Sequence, residues 1–163
     1  MQEYPHHYVA SAAAGTAGNV RVASPGLEVI ESAGPAEFGG PGDLWSPETL
    51  LVASVADCFI LSFRAVARAA KLDWDDLECR VVGDLDRVDR MTRFTHFDIR
   101  ATLDVPEGTD EERARKMLQK AEDTCLVTNS MTAECSFTAE VRVAETDRGF
   151  SRARTVDSGS GRR

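Results

Sequence analysis

Residues 46–71, SPETLLVASVADCFILSFRAVARAAK, decide the fold. The Ser46 hydroxyl can accept from the free N–H groups of a first helical turn, and Pro47 suits the position after it because no donor is needed there. Glu48 then complements the positive end of the helix dipole. The pattern predicts a helix that begins at Ser46. Leu50, Leu51, Val52, Ala53, Val55, Ala56, Phe59, Ile60, Leu61 and Phe63 leave it apolar on nearly every side, as in a helix that is covered all round. Its expected length and the interruptions at Ser54, Asp57, Ser62 and Arg64 argue against a membrane span. Asp57 and Cys58 set a charge and a thiol in the middle of this core. The carboxylate belongs either near a pocket or at a subunit surface, and the residues alone do not separate the two.

Outward from this helix the chain reads as strands. Residues 8–23 form two short strands about the breakers Gly15 and Gly18-Asn19, and residues 27–31 a third. The glycine- and proline-rich run 34–42 is a loop that delivers the chain to Ser46. After a turn at 72–76, Leu77, Cys79, Val81, Gly83 and Leu85 share one face of a strand. A polar link over 87–93 leads to its partner, whose inner face is Phe97, Ile99, Ala101, Leu103 and Val105. Thr109 with Glu112 predicts a capping box for a second helix. Ala114, Met117, Leu118, Ala121 and Cys125 recur along that helix at three- and four-residue steps, which places Cys125 on the buried face of its last turn. A final strand alternates Cys135, Phe137, Ala139, Val141 and Val143 with polar residues. The order is β-β-β-α-β-β-α-β, with antiparallel sheets around the central helix, and the class is α+β. Residues 1–147 form one domain and residues 148–163, rich in Ser, Arg and Gly, a flexible tail. His6 and His7 belong to an exposed N-terminal end, and His96 to a hairpin.

A chain of 163 residues, 42% hydrophobic and 28% charged, can enclose one full core. Its net charge of −8 excludes general nucleic-acid or anionic-membrane partners, which need clustered Lys and Arg. The N-terminus lacks a secretory pattern, so the cytoplasm is expected, where thiols stay reduced. None of the spacings among Cys58, Cys79, Cys125 and Cys135 is CxxC or a zinc-ligand pattern, so neither a metal site nor a disulfide framework is expected. Buried structural thiols or a reactive pair remain. Cys79 and Cys135, on apolar strand faces, read as core. A helix apolar all round needs cover on two sides, and a homodimer supplies it.

The segment SPETLLVASVADCFILSF, followed by a second helix ending in AEDTCLVTNSM, resembles the osmotically inducible protein C and organic hydroperoxide resistance (OsmC/Ohr) family over roughly residues 9–143. The resemblance implies an intertwined homodimer whose members often reduce organic hydroperoxides with two thiols. Cys58 then matches the cysteine that attacks the peroxide, Cys125 the one that resolves it, and Glu48 the family's carboxylate at the start of the central helix. No cofactor is implied beyond an external dithiol reductant, such as a lipoylated protein. The substrate would be an alkyl or fatty-acid hydroperoxide, with Phe59, Leu61 and Met131 as candidate apolar walls. Ten residues apart on one helix, Glu48 and Cys58 are separated by roughly 15 Å, so any coupling between them runs across the dimer or through an intermediary. In many active members that intermediary is an arginine of the N-terminal hairpin. Here the hairpin turn reads TAGNV, and Arg21, the only arginine before the central helix, is the one candidate replacement. After Cys125, Leu126, Val127 and Thr128 stand where several members carry a proline-containing sequence. The alternative is a non-peroxidase relative, a dimer that binds a small apolar ligand in the same interfacial pocket.

Overall fold

Ser46 caps the central helix as its sequence requires. Its Oγ accepts from the Thr49 N–H at 3.1 Å, and its own N–H donates to Thr49 Oγ1 at 2.8 Å, a closed capping box. The helix, α1, runs Pro47–Ala70, and Lys71 ends it in the left-handed region at φ 51°. We describe this protein from a computed structural model that covers residues 3–144; the tail expected from residue 148 lies outside them.

Before α1, strands β1 (Ser11–Ala13), β2 (Val20–Ala23) and β3 (Ile30–Ser32) form an antiparallel sheet in the order β1-β2-β3. Ser32 is the only fully buried residue of its strands. The sheet is tied to the body by a bridge between Ser32 and Trp45, and by the Ala33 N–H donating to the Trp45 carbonyl at 2.9 Å. After α1, β4 (Asp76–Val88) and β5 (Met91–Val105) make a long hairpin. Its turn holds only Asp89 and Arg90, at φ 52° and 66°, so most of the polar link expected over 87–93 is strand. Positive φ at both central residues is the mark of the tight hairpin turn whose twist suits the strands, and Asp-Arg is not its usual sequence signal.

The second helix, α2, spans Glu111–Asp123. Its cap is Asp110, which accepts from the Arg113 N–H at 3.0 Å, one residue later than the Thr109 expected from sequence. Strand β6 (Glu134–Val143) then pairs parallel with β5, making a mixed sheet in the order β4-β5-β6 where antiparallel pairing was expected. The α2 crossover is the reason. It carries the chain back to the end of the sheet from which β5 started, and only a parallel strand can follow. The α+β class stands.

The core lies between this sheet and the two helices. Phe97, Ile99, Ala101, Leu103 and Val105 line the inner face of β5, all buried. Against them lie Val55, Phe59, Phe63 and Ala67, a stripe at four-residue steps along α1, with Ala114, Leu118 and Ala121 of α2. Within one chain, therefore, α1 is covered on one side only, and Leu51 and Leu61 stay 37% and 51% exposed. At 24 residues the helix is also long and apolar enough to cross a membrane, contrary to the expectation from sequence. Its packing on the sheet, with Asp57 and Arg64 at mid-length, identifies it as a core helix. Phe63 is fully buried and meets Trp74 edge-on, with ring centroids 5.5 Å apart. Phe63→Ala is expected to cost about 3–5 kcal/mol, read from the midpoint and slope of urea unfolding.

Candidate thiol site

Cys58 sits beside the buried stripe of α1. Each residue of a helix turns about 100°, so Cys58, three residues after Val55, lies at the edge of that stripe on the side of Leu51. Cys125 approaches from the other element. The chain leaves α2 at Thr124, one residue before Cys125, so this cysteine lies just past the helix and not in its last turn as expected. It is nonetheless held. Its N–H donates to the Glu122 carbonyl at 3.0 Å, and its own carbonyl accepts from the Asn129 N–H at 3.1 Å and the Thr128 hydroxyl at 3.2 Å. Cys125 is 1% exposed and Cys58 half-buried.

The two thiols lie close enough to act on one another's ionisation. Burial pushes the Cys125 thiol above its ordinary range. The backbone N–H and hydroxyl of Thr128 oppose this, and the nearby Cys58 thiol raises it again, so Cys125 is held toward its protonated form.

The other two cysteines also lie near Cys125. Cys79, on β4, packs between the two halves of the core, and burial followed by Cys125's charge pushes its thiol up to about 12. It behaves as the core residue expected. Cys135 does not: although it is on the inner face of the sheet in register with Phe97, it is exposed, because it lies at the start of an edge strand. Its thiol is raised by partial burial, then by Glu122 and Cys125.

Glu48 lies in the first turn of α1, and its Oε2 is buried with no hydrogen-bond partner among the described residues. It lines a cleft of about 820 Å³ between the start of α1, the loop before it and the β4–β5 hairpin, walled by Trp45, Val52, Val81 and Phe94. Sequence reasoning missed this cleft, although Gly83 was a signal. A Cβ there would stand 2.9 Å from both Val52 Cγ2 and Phe94 Cε1. Neither Cys58 nor Cys125 lines the cleft. Ala56, which does, is two residues from Cys58 and so nearly opposite it around the helix. The apolar walls expected from sequence are likewise dispersed. Phe59 is in the core against Phe137, Leu61 is half-exposed, and Met131 packs beside Val55, Phe97 and Ile99.

Arg21 is exposed on β2, makes no ion pair among the described residues, and does not meet Cys58 or Glu48 within the chain. Asp57 is exposed. His96 Nε2 lies 2.9 Å from Ser136 Oγ on the outer face of the sheet. Among the described residues no group of three His, Cys, Asp or Glu side chains is arranged to hold a metal ion.

The profile of the OsmC-like protein family matches residues 40–140. An uncharacterized Bacillus subtilis protein, YmaD, is 21% identical over 141 residues, spanning 85% of this chain and 94% of that protein. Among solved structures, an OsmC-like protein of unknown function from Vibrio cholerae superposes with a TM-score of 0.76 at 17% identity, covering 83% of this chain and 99% of that one. An organic hydroperoxide resistance protein OsmC from Legionella pneumophila gives a TM-score of 0.68 at 25% identity, covering 86% of this chain and all of that one, 100%. With the profile spanning the greater part of the chain and the fold shared along nearly the whole of these structures, the protein belongs to the OsmC family, some of whose members are organic hydroperoxide resistance proteins.

Proposed function

We propose that this protein reduces organic hydroperoxides, with Cys58 attacking and Cys125 resolving. The observation that carries this is the approach of two thiols from different elements, Cys58 on α1 and Cys125 just past α2, close enough for one to act on the ionisation of the other. The Cys58 thiolate attacks the distal oxygen of the peroxide, the O–O bond breaks, and the alkoxide takes a proton and leaves as an alcohol. Cys58 is now a sulfenic acid. The thiol of Cys125 displaces its hydroxyl as water, forming the Cys58–Cys125 disulfide, and an external dithiol of the lipoyl type restores both thiols without a resident cofactor. A reducing compartment such as the cytoplasm keeps the cycle running.

A homodimer is part of this reading. Among the described residues nothing covers the flank of α1 that carries Leu51 and Leu61 or most of the N-terminal sheet. Glu48 Oε2 and the Arg21 guanidinium, neither of which has a partner among the described residues, are complementary, and a second copy can bring one to the other. Arg21 and Glu48 then position charge around the thiolate from across the interface. A second reading, ligand binding without peroxide chemistry, is favoured by one observation: the apolar cleft of about 820 Å³ is lined by neither thiol.

Steady-state turnover of cumene hydroperoxide with dithiothreitol or a lipoylated protein separates the two readings. Cys58→Ser is expected to lower turnover at least about a hundredfold, since the thiolate is the nucleophile. Cys125→Ser should still consume the first equivalent of peroxide to give the Cys58 sulfenic acid and, with a second equivalent, accumulate sulfinic acid there, seen as a gain of two oxygens by mass spectrometry. Full turnover in Cys58→Ser would remove the peroxidase reading. Light scattering is expected to give twice the chain mass, and Leu61→Glu to shift it toward the monomer. Cys79 keeps its proton in the folded state up to about 12, against an ordinary value of 9.0. Folding stability that depends on it is thus complete below pH 9.0 and falls as pH rises toward 12. Cys79→Val should flatten this part of the alkaline denaturation profile.

A further inference from the structure

We propose that Cys135 is a third redox thiol of this site, which takes the disulfide from Cys125 and presents it at the surface to the dithiol reductant. The inference rests on the peroxide-reducing reading of Cys58 and Cys125.

Cys135 lies where three elements meet. Its side chain is on the face of the sheet that carries Phe97 and Gly83 in the same row, the face on which the helices pack. Two residues along β6, Phe137 meets Phe59 with ring centroids 5.3 Å apart, and Phe59 directly follows Cys58 on α1. From the other side comes Glu122 of the last turn of α2, whose carbonyl accepts the Cys125 N–H at 3.0 Å. Both Glu122 and Cys125 are close enough to act electrostatically on the Cys135 thiol.

Exposure gives the three sulfurs an order. Cys125 is buried, Cys58 is half-buried on the flank of α1 shared with Leu51, and Cys135 is open to solvent. A protein-borne dithiol cannot reach the sulfur of Cys125, and any cover over Leu51 narrows the approach to Cys58 as well. Cys135 needs no opening of the fold.

The exchange balances without an added oxidant. The Cys135 thiolate attacks the sulfur of Cys125, the Cys58–Cys125 bond breaks, and Cys58 leaves as a thiolate that is free for the next peroxide. The external dithiol then attacks the exposed sulfur of Cys135 and releases Cys125. Its second thiol closes the reductant's own disulfide and frees Cys135.

The direct test uses the full chain carrying Cys58→Ser, oxidised with diamide and mapped by non-reducing peptide mass spectrometry. An intrachain Cys125–Cys135 linkage is expected. Because no peroxide is involved, its absence, or a Cys79–Cys125 linkage in its place, overturns the relay whatever the peroxidase activity. In the unmodified protein, one equivalent of cumene hydroperoxide should give Cys58–Cys125 first and Cys125–Cys135 later. A Cys58–Cys125 disulfide that never migrates sinks the relay and leaves the peroxidase reading standing; no disulfide at all sinks both. Cys135→Ser should slow turnover with a lipoylated protein by about fivefold or more and turnover with dithiothreitol by less than about twofold, since only the bulky reductant needs the exit. Equal effects on the two reductants would contradict the relay.

Discussion

The contact that the rest of the molecule depends on is the stripe Val55, Phe59, Phe63 and Ala67 of α1 against the inner face of β5. Fully buried aromatic and aliphatic side chains contribute about 1.5–3 kcal/mol each, so this stripe fixes the rotation of the helix about its own axis. Once that rotation is set, helical geometry leaves little choice for the rest. Cys58 must lie at the edge of the stripe on the side of Leu51, Ala56 toward the cleft, and Leu61 toward solvent. The position of the thiol is thus a by-product of packing four residues on a sheet.

Cys125 is held by a different device. It sits outside regular helix, where the chain could be mobile, yet it is buried and tied by hydrogen bonds at both its N–H and its carbonyl. Two thiolates in contact repel each other, and burial denies them the solvation that would offset the repulsion. Ionisation of both at once is therefore disfavoured, and Cys125 is the one held toward its proton. Peroxide chemistry of the kind proposed uses this, since the resolving sulfur waits as a thiol while the other attacks.

The sequence made the element order, the cap at Ser46 and the two cysteines that come together legible, because each has a local signature: a Ser-Pro start, a period of two or 3.6, and a thiol inside an apolar run. What it hid was non-local. The parallel pairing of β6 depends on where the α2 crossover sets the chain down, and no residue of β6 encodes that. The Asp89-Arg90 turn was masked because charged strand ends at Arg87 and Arg93 look like loop. Cys135 alternates like a core residue, but alternation reports which face a side chain takes and not whether a helix covers that face. The opening beside Phe94 likewise depends on Gly83 and Val52, which are distant in sequence and meet only when α1 lies across β4.

Two defects of the single chain fall on the same helix. Along one flank of α1, apolar side chains remain in water. In its first turn, a carboxylate oxygen of Glu48 is removed from water without a donor, a situation that costs about 1–3 kcal/mol or more for a charged group. A ligand in the cleft could answer the second defect, but it would leave Leu51 and Leu61 exposed on the other flank. A second copy of the chain is more economical, since its own uncovered helix offers apolar surface for the first defect and its Arg21 offers a guanidinium for the second. The geometry that keeps Glu48 roughly 15 Å from Cys58 along one helix ceases to separate them functionally once the charge is relayed by an arginine that belongs to neither turn.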